Sequence, residues 1–381
     1  MSLSILIAPD KFKGTLTATQ AAQAIARGWK KARPNDHLTL LPISDGGDGF
    51  GPILAHLLKA ERRVGTSNDP HGSFIEHDWW FCTTTKTAII ESAEIIGLAK
   101  LQQDLAPNPM QVDTAGLGLT LTNLNPKVEK NQKTPKHAIV GVGGSATNDG
   151  GFGMARELGW HFLDRAGLEI EYWPDLVSLE KITEPNPKEQ WVYCLDSVTV
   201  AVDVQNPLLG PNGCSRVYGP QKGLREENIP EAEAALTQLA EIWESQTGED
   251  AAGLPGAGAA GGLGFGLHCF MGAEIRSGFE IYAKAAGLNT LLKEADVVVT
   301  GEGAMDRQSI MGKGVGELAK LARTHSCRCL GLAGMLEDRS ALTEKMENCR
   351  ALTDLTSLAA AKKNASQWLE KLSHSTAQSF T

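Results

Sequence analysis

Residues 38–50 read LTLLPISDGGDGF, an apolar run followed at once by two aspartates, Asp45 and Asp48, set among three glycines. Glycines let backbone N–H groups lie close to a ligand, and the two carboxylates suit proton transfer or a hard cation. Three further glycine loops follow apolar runs: PDKFKG (9–14), GVGGSATNDGG (141–151) and TGEGAMDRQS (300–309). In the first, Lys11 and Lys13 are spaced to meet one anion, or form a solvated pair with Phe12 packed inward. The second combines N–H groups at Gly143 and Gly144 with the hydroxyls of Ser145 and Thr147, the Asn148 amide and the Asp149 carboxylate, a set suited to an anion or polar substrate. The third gathers Glu302, Asp306, Arg307 and Ser309, which suit a metal or phosphate site or an ordinary helix-cap ion pair. A long Pro/Gly-rich stretch, DVQNPLLGPNGCSRVYGPQKG (203–223), carries Asn206 and Lys222 and reads as a functional loop or a rigid Ω-loop.

Several chemistries are excluded by what is missing. There is no G-x-x-x-x-G-K-[ST], no G-x-S-x-G and no H-E-x-x-H, and the two aspartates of SDGGDG lack the spacing of a calcium loop. Gly141, Gly143 and Ala146 satisfy the loose G-x-G-x-x-A dinucleotide fingerprint, with Asp164 at about the right remove, so an NAD-dependent oxidoreductase is one rival. The net charge of −9 with interspersed signs argues against nucleic acid. Seven scattered cysteines without a paired C-x-x-C point to a reducing cytoplasm rather than disulfides or zinc, and no apolar run approaches a membrane span or a secretory signal.

The elements that must position these loops alternate. LSILIAP reads as a strand, TLTATQAAQAIARGWKKA as a Thr-capped helix, LTLLPI as a second strand and FGPILAHLLKAE as a second helix. SFIEHDWWFC and KTAIIESAEI read as a hairpin; KHAIVG, HFLD, WVYCL and VTVAVDV as strands; 229–247 as a long helix. From 279 the β/α alternation resumes to the end. The fold class is therefore α/β in two domains. A doubly wound parallel sheet of Rossmann or flavodoxin type is built from both chain ends, 1–68 and 275–381, and a mixed α/β domain, 69–274, is inserted, with the active site expected in the cleft between them.

In order, APDKFKGTLTA, PISDGGDG, ESAEIIGLAKL, VGVGGSATNDGGFGM, DVQNPLLGPNGCSRVYGPQKG, GAGAAGGLGFGL and VVTGEGAMDRQSIMGKG resemble the signature blocks of the type I glycerate kinase family. The chain departs from that pattern at Gln205, Ala304 and Met305 and keeps Asp203, Asn206, Glu302 and Asp306. A catalytically silent metabolite-binding protein of the same fold is the second rival. The resemblance implies phosphorylation of D-glycerate by ATP with Mg2+, most often to 2-phosphoglycerate, in glyoxylate-linked metabolism. Small molecules are then the partners, with a homo-oligomer left open. It also implies roles. Asp45 is the first candidate for general base or Mg2+ ligand, with Lys11 and Asp149 beside it in catalysis and Asp48, Asp306 and Glu302 as metal candidates. Lys11 and Lys13 offset anionic charge; Gly143, Gly144, Ser145, Thr147 and Asn148 hold the substrate carboxylate or γ-phosphoryl; Asn206, Lys222 and Arg307 complete the binding set.

Overall fold

A computed structural model describes residues 2–101, 108–124, 134–186, 195–307, 309 and 314–380. Strands are, in chain order, β1 (Ser4–Ile7), β2 (His37–Leu40), β3 (Glu61–Asn68), β4 (Phe74–Cys82), β5 (Thr87–Glu91), β6 (His137–Gly141), β7 (His161–Asp164), β8 (Leu179–Thr183) and β9 (Ser197–Val202). They continue with β10 (Glu274–Ser277), β11 (Val297–Thr300), β12 (Ala304–Met305), β13 (Arg328–Ala333), β14 (Met335–Leu336) and β15 (Asn348–Ala351). The expected strand WVYCL falls on residues 191–194, outside the described set, except for Leu195.

The chain divides into two units, residues 1–45 with 279–381 and residues 46–278. In the first, five parallel strands run β15-β13-β11-β1-β2. Counted within the unit, that is the flavodoxin order 2-1-3-4-5, whose ligand crevice lies where β1 and its neighbour β11 carry the chain to opposite sides. The centre of the sheet is buried on both faces: Ile5, Ile7, Val297 and Val299 are covered, which is why these strands are continuously apolar. The helix Ala18–Ala32 starts at a capping box between Thr17 and Gln20. It is bound to the C-terminal helix Ala365–Ser379 by a Ser373 hydroxyl donating to the Ile25 carbonyl at 2.7 Å. Both chain ends therefore build one core, as the returning β/α alternation implied.

In the second unit the sheet order is β10-β9-β6-β5-β4-β3, parallel from β5 to β10 and antiparallel across β3, β4 and β5. Its core includes an aromatic cluster of Trp160, Phe162, Trp243 and Phe270 with ring centroids 5.2–5.9 Å apart. The first domain boundary needs correction. The sequence reading put it at 68/69, but the chain passes over at 45/46, because β3 pairs along its whole length with β4 and the helix Phe50–Leu58 carries Gly51 against the Trp80 ring. The second boundary, expected at 274/275, lies at 278/279.

Candidate functional site

The unit boundary splits the SDGGDG motif: Asp45 belongs to the first unit and Asp48 to the second. Each unit carries its own cluster.

In the first unit, the loop leaving β1 is tied to the loop leaving β11 by the Asp10 N–H donating to the Gly301 carbonyl at 2.8 Å. Asp10 thereby comes into the company of Asp45 and Glu302. Burial, reinforced by the charges of those two carboxylates, pushes the Asp10 carboxyl well above its ordinary range, against the pull of the Lys11 N–H, 2.6 Å from its oxygen, and of the Lys11 ammonium. Asp10 escaped the sequence reading, which saw only the lysines of PDKFKG. Phe12 is buried and Lys13 is exposed. In the loop after β11, Asp306 is spent on a local turn, exchanging bonds with Ser309, whose N–H reaches its carboxylate at 2.9 Å. Arg307 is exposed and paired with Asp338 at 3.3 Å. The sequence reading made Asp306 a metal candidate and Arg307 a binding residue; their described contacts are these local ones.

In the second unit, the loop after β6 meets the glycines of the split motif. The Gly143 N–H donates to the Gly46 carbonyl at 3.1 Å. Gly144 has φ +82°, and a Cβ there would stand 2.0 Å from Asp48 Oδ1, so only glycine lets the carboxylate lie on this loop. Behind the loop stands Lys222, 3% exposed, whose ammonium donates to the Thr147 carbonyl at 2.7 Å and to Ser145 Oγ at 3.1 Å. Ser145 in turn donates to the Ala260 carbonyl at 3.0 Å. Ala260 holds φ +57°, strained for a residue with a side chain, and the neighbouring Gly261 packs so close that a Cβ would be 2.1 Å from the Thr147 carbonyl. Burial pulls the Lys222 amine down to about 8. Among the described residues no carboxylate lies within ion-pair range of it. Its hydrogen bonds go to neutral oxygens, and the buried Asp149 carboxylate acts on its charge from beyond ion-pair distance.

Two of the expected site residues, Asp149 and Asn206, are held by local bonds. Asp149 is fully buried, and its carboxylate accepts from the Thr114 N–H (2.9 Å), the Thr114 hydroxyl (2.7 Å), the Gly153 N–H (3.0 Å) and the Gly151 N–H (3.3 Å). It anchors the start of the helix Phe152–Glu157. Asn206 is half-buried: its amide donates to the Asn212 carbonyl and its oxygen accepts from the Tyr218 hydroxyl. Asn148 is buried and donates to Ser215 Oγ at 2.9 Å. The dinucleotide reading loses its acidic partner, because Asp164 sits in the β7–β8 hairpin with its carboxylate taken by the Ala166 and Leu168 N–H groups. No helix among the described residues is long and apolar enough to cross a membrane.

A sequence profile of the glycerate kinase family matches residues 5–381. A glycerate kinase of Halalkalibacterium halodurans is 39% identical over 337 residues, covering 87% of this chain and 86% of that one. A glycerate 2-kinase of Escherichia coli is 35% identical over 337 residues, covering 88% and 86%. A crystal structure described as glycerate kinase 2 of Salmonella typhimurium LT2 superposes with a TM-score of 0.79 at 32% identity, covering 99% of this chain and 98% of that one.

Proposed function

Since the chain belongs to the glycerate kinase family and is a kinase, we propose that it transfers the γ-phosphoryl group of ATP, as the magnesium complex, to D-glycerate and releases 2-phosphoglycerate. The observation that carries this reading is the Lys222 seat, a buried ammonium directed at a glycine loop that ends β6. Phosphoryl transfer asks a protein for little covalent chemistry and much positioning of negative charge.

Roles divide by unit. In the first, Asp45 accepts the proton of the attacking hydroxyl late in a loose transition state. Lys11 offsets anionic charge beside it. Asp10 and Glu302 are hard oxygen donors that would hold the magnesium ion. Among the described residues no three acidic, histidine or cysteine side chains make a ready metal cage, which suits a cation that arrives on phosphate and keeps several waters. Bound there, magnesium would neutralise charge on the β- and γ-oxygens. In the second unit the Gly143 N–H is given to Gly46, so the Gly144 N–H and the loop after it, backed by Lys222, would hold the substrate carboxylate or the γ-phosphoryl, with Asp48 toward the phosphates. The six described cysteines are buried free thiols, which supports a reducing cytoplasm.

The test is ATP consumption with D-glycerate and magnesium. An enolase coupling without mutase responds to 2-phosphoglycerate alone. No turnover refutes the kinase reading of this chain; turnover that needs added mutase moves the phosphate to the 3-hydroxyl.

A further inference from the structure

The motif ESAEIIGLAKL is the one signature block left without a task, and its position in the second unit gives it one. Glu91 closes β5, in register with Gly141 at the end of β6. The residues after it form a platform under the glycine loop: the Ser92 N–H donates to the Gly141 carbonyl (2.8 Å), Leu98 N–H to Gly144 (3.0 Å), and Ala146 N–H back to Ile96 (2.8 Å). Glu91 itself is 4% exposed and turns the other way. One carboxylate oxygen accepts the Gly49 N–H at 2.6 Å and the other the Gly51 N–H at 3.0 Å.

Those two amides open the helix Phe50–Leu58, whose N-cap is Gly49 and whose start carries no capping side chain of its own. Helix N-termini commonly receive phosphate. Here the amides are already taken by a carboxylate from another strand, so this helix start is not the anion seat. Asp48 immediately precedes the clamped Gly49, and its Oδ1 rests over Gly144, on the loop that the same platform supports. The two bonds that Glu91 accepts hold the backbone immediately after Asp48, and with it the origin of that side chain.

We propose that Glu91 is a positioning residue: its two-oxygen clamp on Gly49 and Gly51 fixes Asp48 over the Gly143–Gly144 loop, and it acts on the reaction only through Asp48. The proposal rests on the kinase reading, in which Asp48 faces the metal-bound phosphates. Burial against the charges of Glu94 and Asp48 raises the Glu91 carboxyl to about 7, opposed by the two N–H bonds, so the protein holds a carboxylate where an apolar residue would be easier to bury.

The experiment uses the full chain with Glu91→Gln, Glu91→Asp, Asp48→Asn and the double variant Glu91→Gln/Asp48→Asn. A glutamine amide turns a donor toward one of the two N–H groups, and aspartate is a methylene too short to reach both. Hydrogen exchange of the 46–51 backbone should quicken about 10-fold in Glu91→Gln and Glu91→Asp and stay as in the parent in Asp48→Asn. Turnover should fall about 10- to 100-fold in Glu91→Gln, the scale of a displaced catalytic group, with KM for glycerate within about 3-fold. The double variant should be no slower than Asp48→Asn within about 2-fold, the mark of residues acting as one. Multiplying losses in the double variant, a parent-like Asp48→Asn, or unchanged exchange in Glu91→Gln would each overturn the proposal. If the parent itself has no glycerate kinase activity, the kinase reading fails, while the exchange arm still reports whether the clamp exists.

Discussion

Replacing Lys222 with methionine separates what this residue does for function from what it does to stability. The folded protein holds the amine at about 8, against an ordinary 10.5. A group whose folded pKa is depressed in this cationic sense binds its proton less tightly in the native state, so the charge weakens the fold at every pH below about 8. That penalty fades as pH rises toward 10.5. With ~1.4 kcal/mol per pKa unit, it is about 3 kcal/mol at pH 7 and about 1 kcal/mol at pH 10. Methionine keeps the length of the side chain and removes the charge, together with the bonds to Ser145 and Thr147. The difference in stability between parent and variant should therefore shift by roughly 2 kcal/mol in the parent's favour from pH 7 to pH 10. For a unit of 150–250 residues that is about 4–8 °C in Tm, read by calorimetry on both proteins across the range. At pH 7 the variant should melt close to the parent, yet lose about 10²-fold in kcat/KM, because the Ser145–Thr147 loop is no longer held. Glycerate should raise the Tm of the parent and not that of the variant. A Tm gap that is large at pH 7 and flat to pH 10 would refute the picture of an ammonium kept, against its burial, for an anion.

Asp10→Asn keeps an acceptor for the Lys11 N–H while removing a raised carboxylate. It should melt higher than the parent above neutral pH, with the difference vanishing below pH 3.8, where the parent carboxyl is protonated in both states; turnover should fall sharply in the same preparation. Asp149→Asn can present its oxygen to the Thr114 and Gly153 donors and should retain turnover within about 3-fold, whereas Asp149→Ala strands those buried donors and should lose at least about 3 kcal/mol in a denaturant titration. Ala260→Gly relieves a left-handed alanine and should raise stability by up to about 1 kcal/mol by the same measurement.

The alternation of apolar strands, glycine loops and helices was legible because each signal is local. β1, β11 and β13 are short runs bounded by glycine or proline, and the helices at 18–32 and 229–247 show their faces within a few turns. The 45/46 boundary was not legible. The helix Phe50–Leu58 looks like the next step of the parallel domain, and only the pairing of β3 with β4 sends it to the other sheet. Asp45 and Asp48 read as one motif and belong to two units.

The candidate site shows the same limit residue by residue. Asp149, Asn206, Asp306 and Arg307 have the right chemistry for ligands, and only the structure shows that they bond to Thr114, Tyr218, Ser309 and Asp338. Asp10 and Glu91 stood in plain view and drew no notice, since their weight comes from Glu302 and Gly49, far off along the chain. Sequence alone determined the residue types, the loops that display them and the family, because those are properties of short stretches. Which polar groups are spent inside the protein and which are left for a substrate was decided by tertiary structure, because desolvation and hydrogen-bond satisfaction depend on neighbours such as Lys222 and Ser145, 77 residues apart.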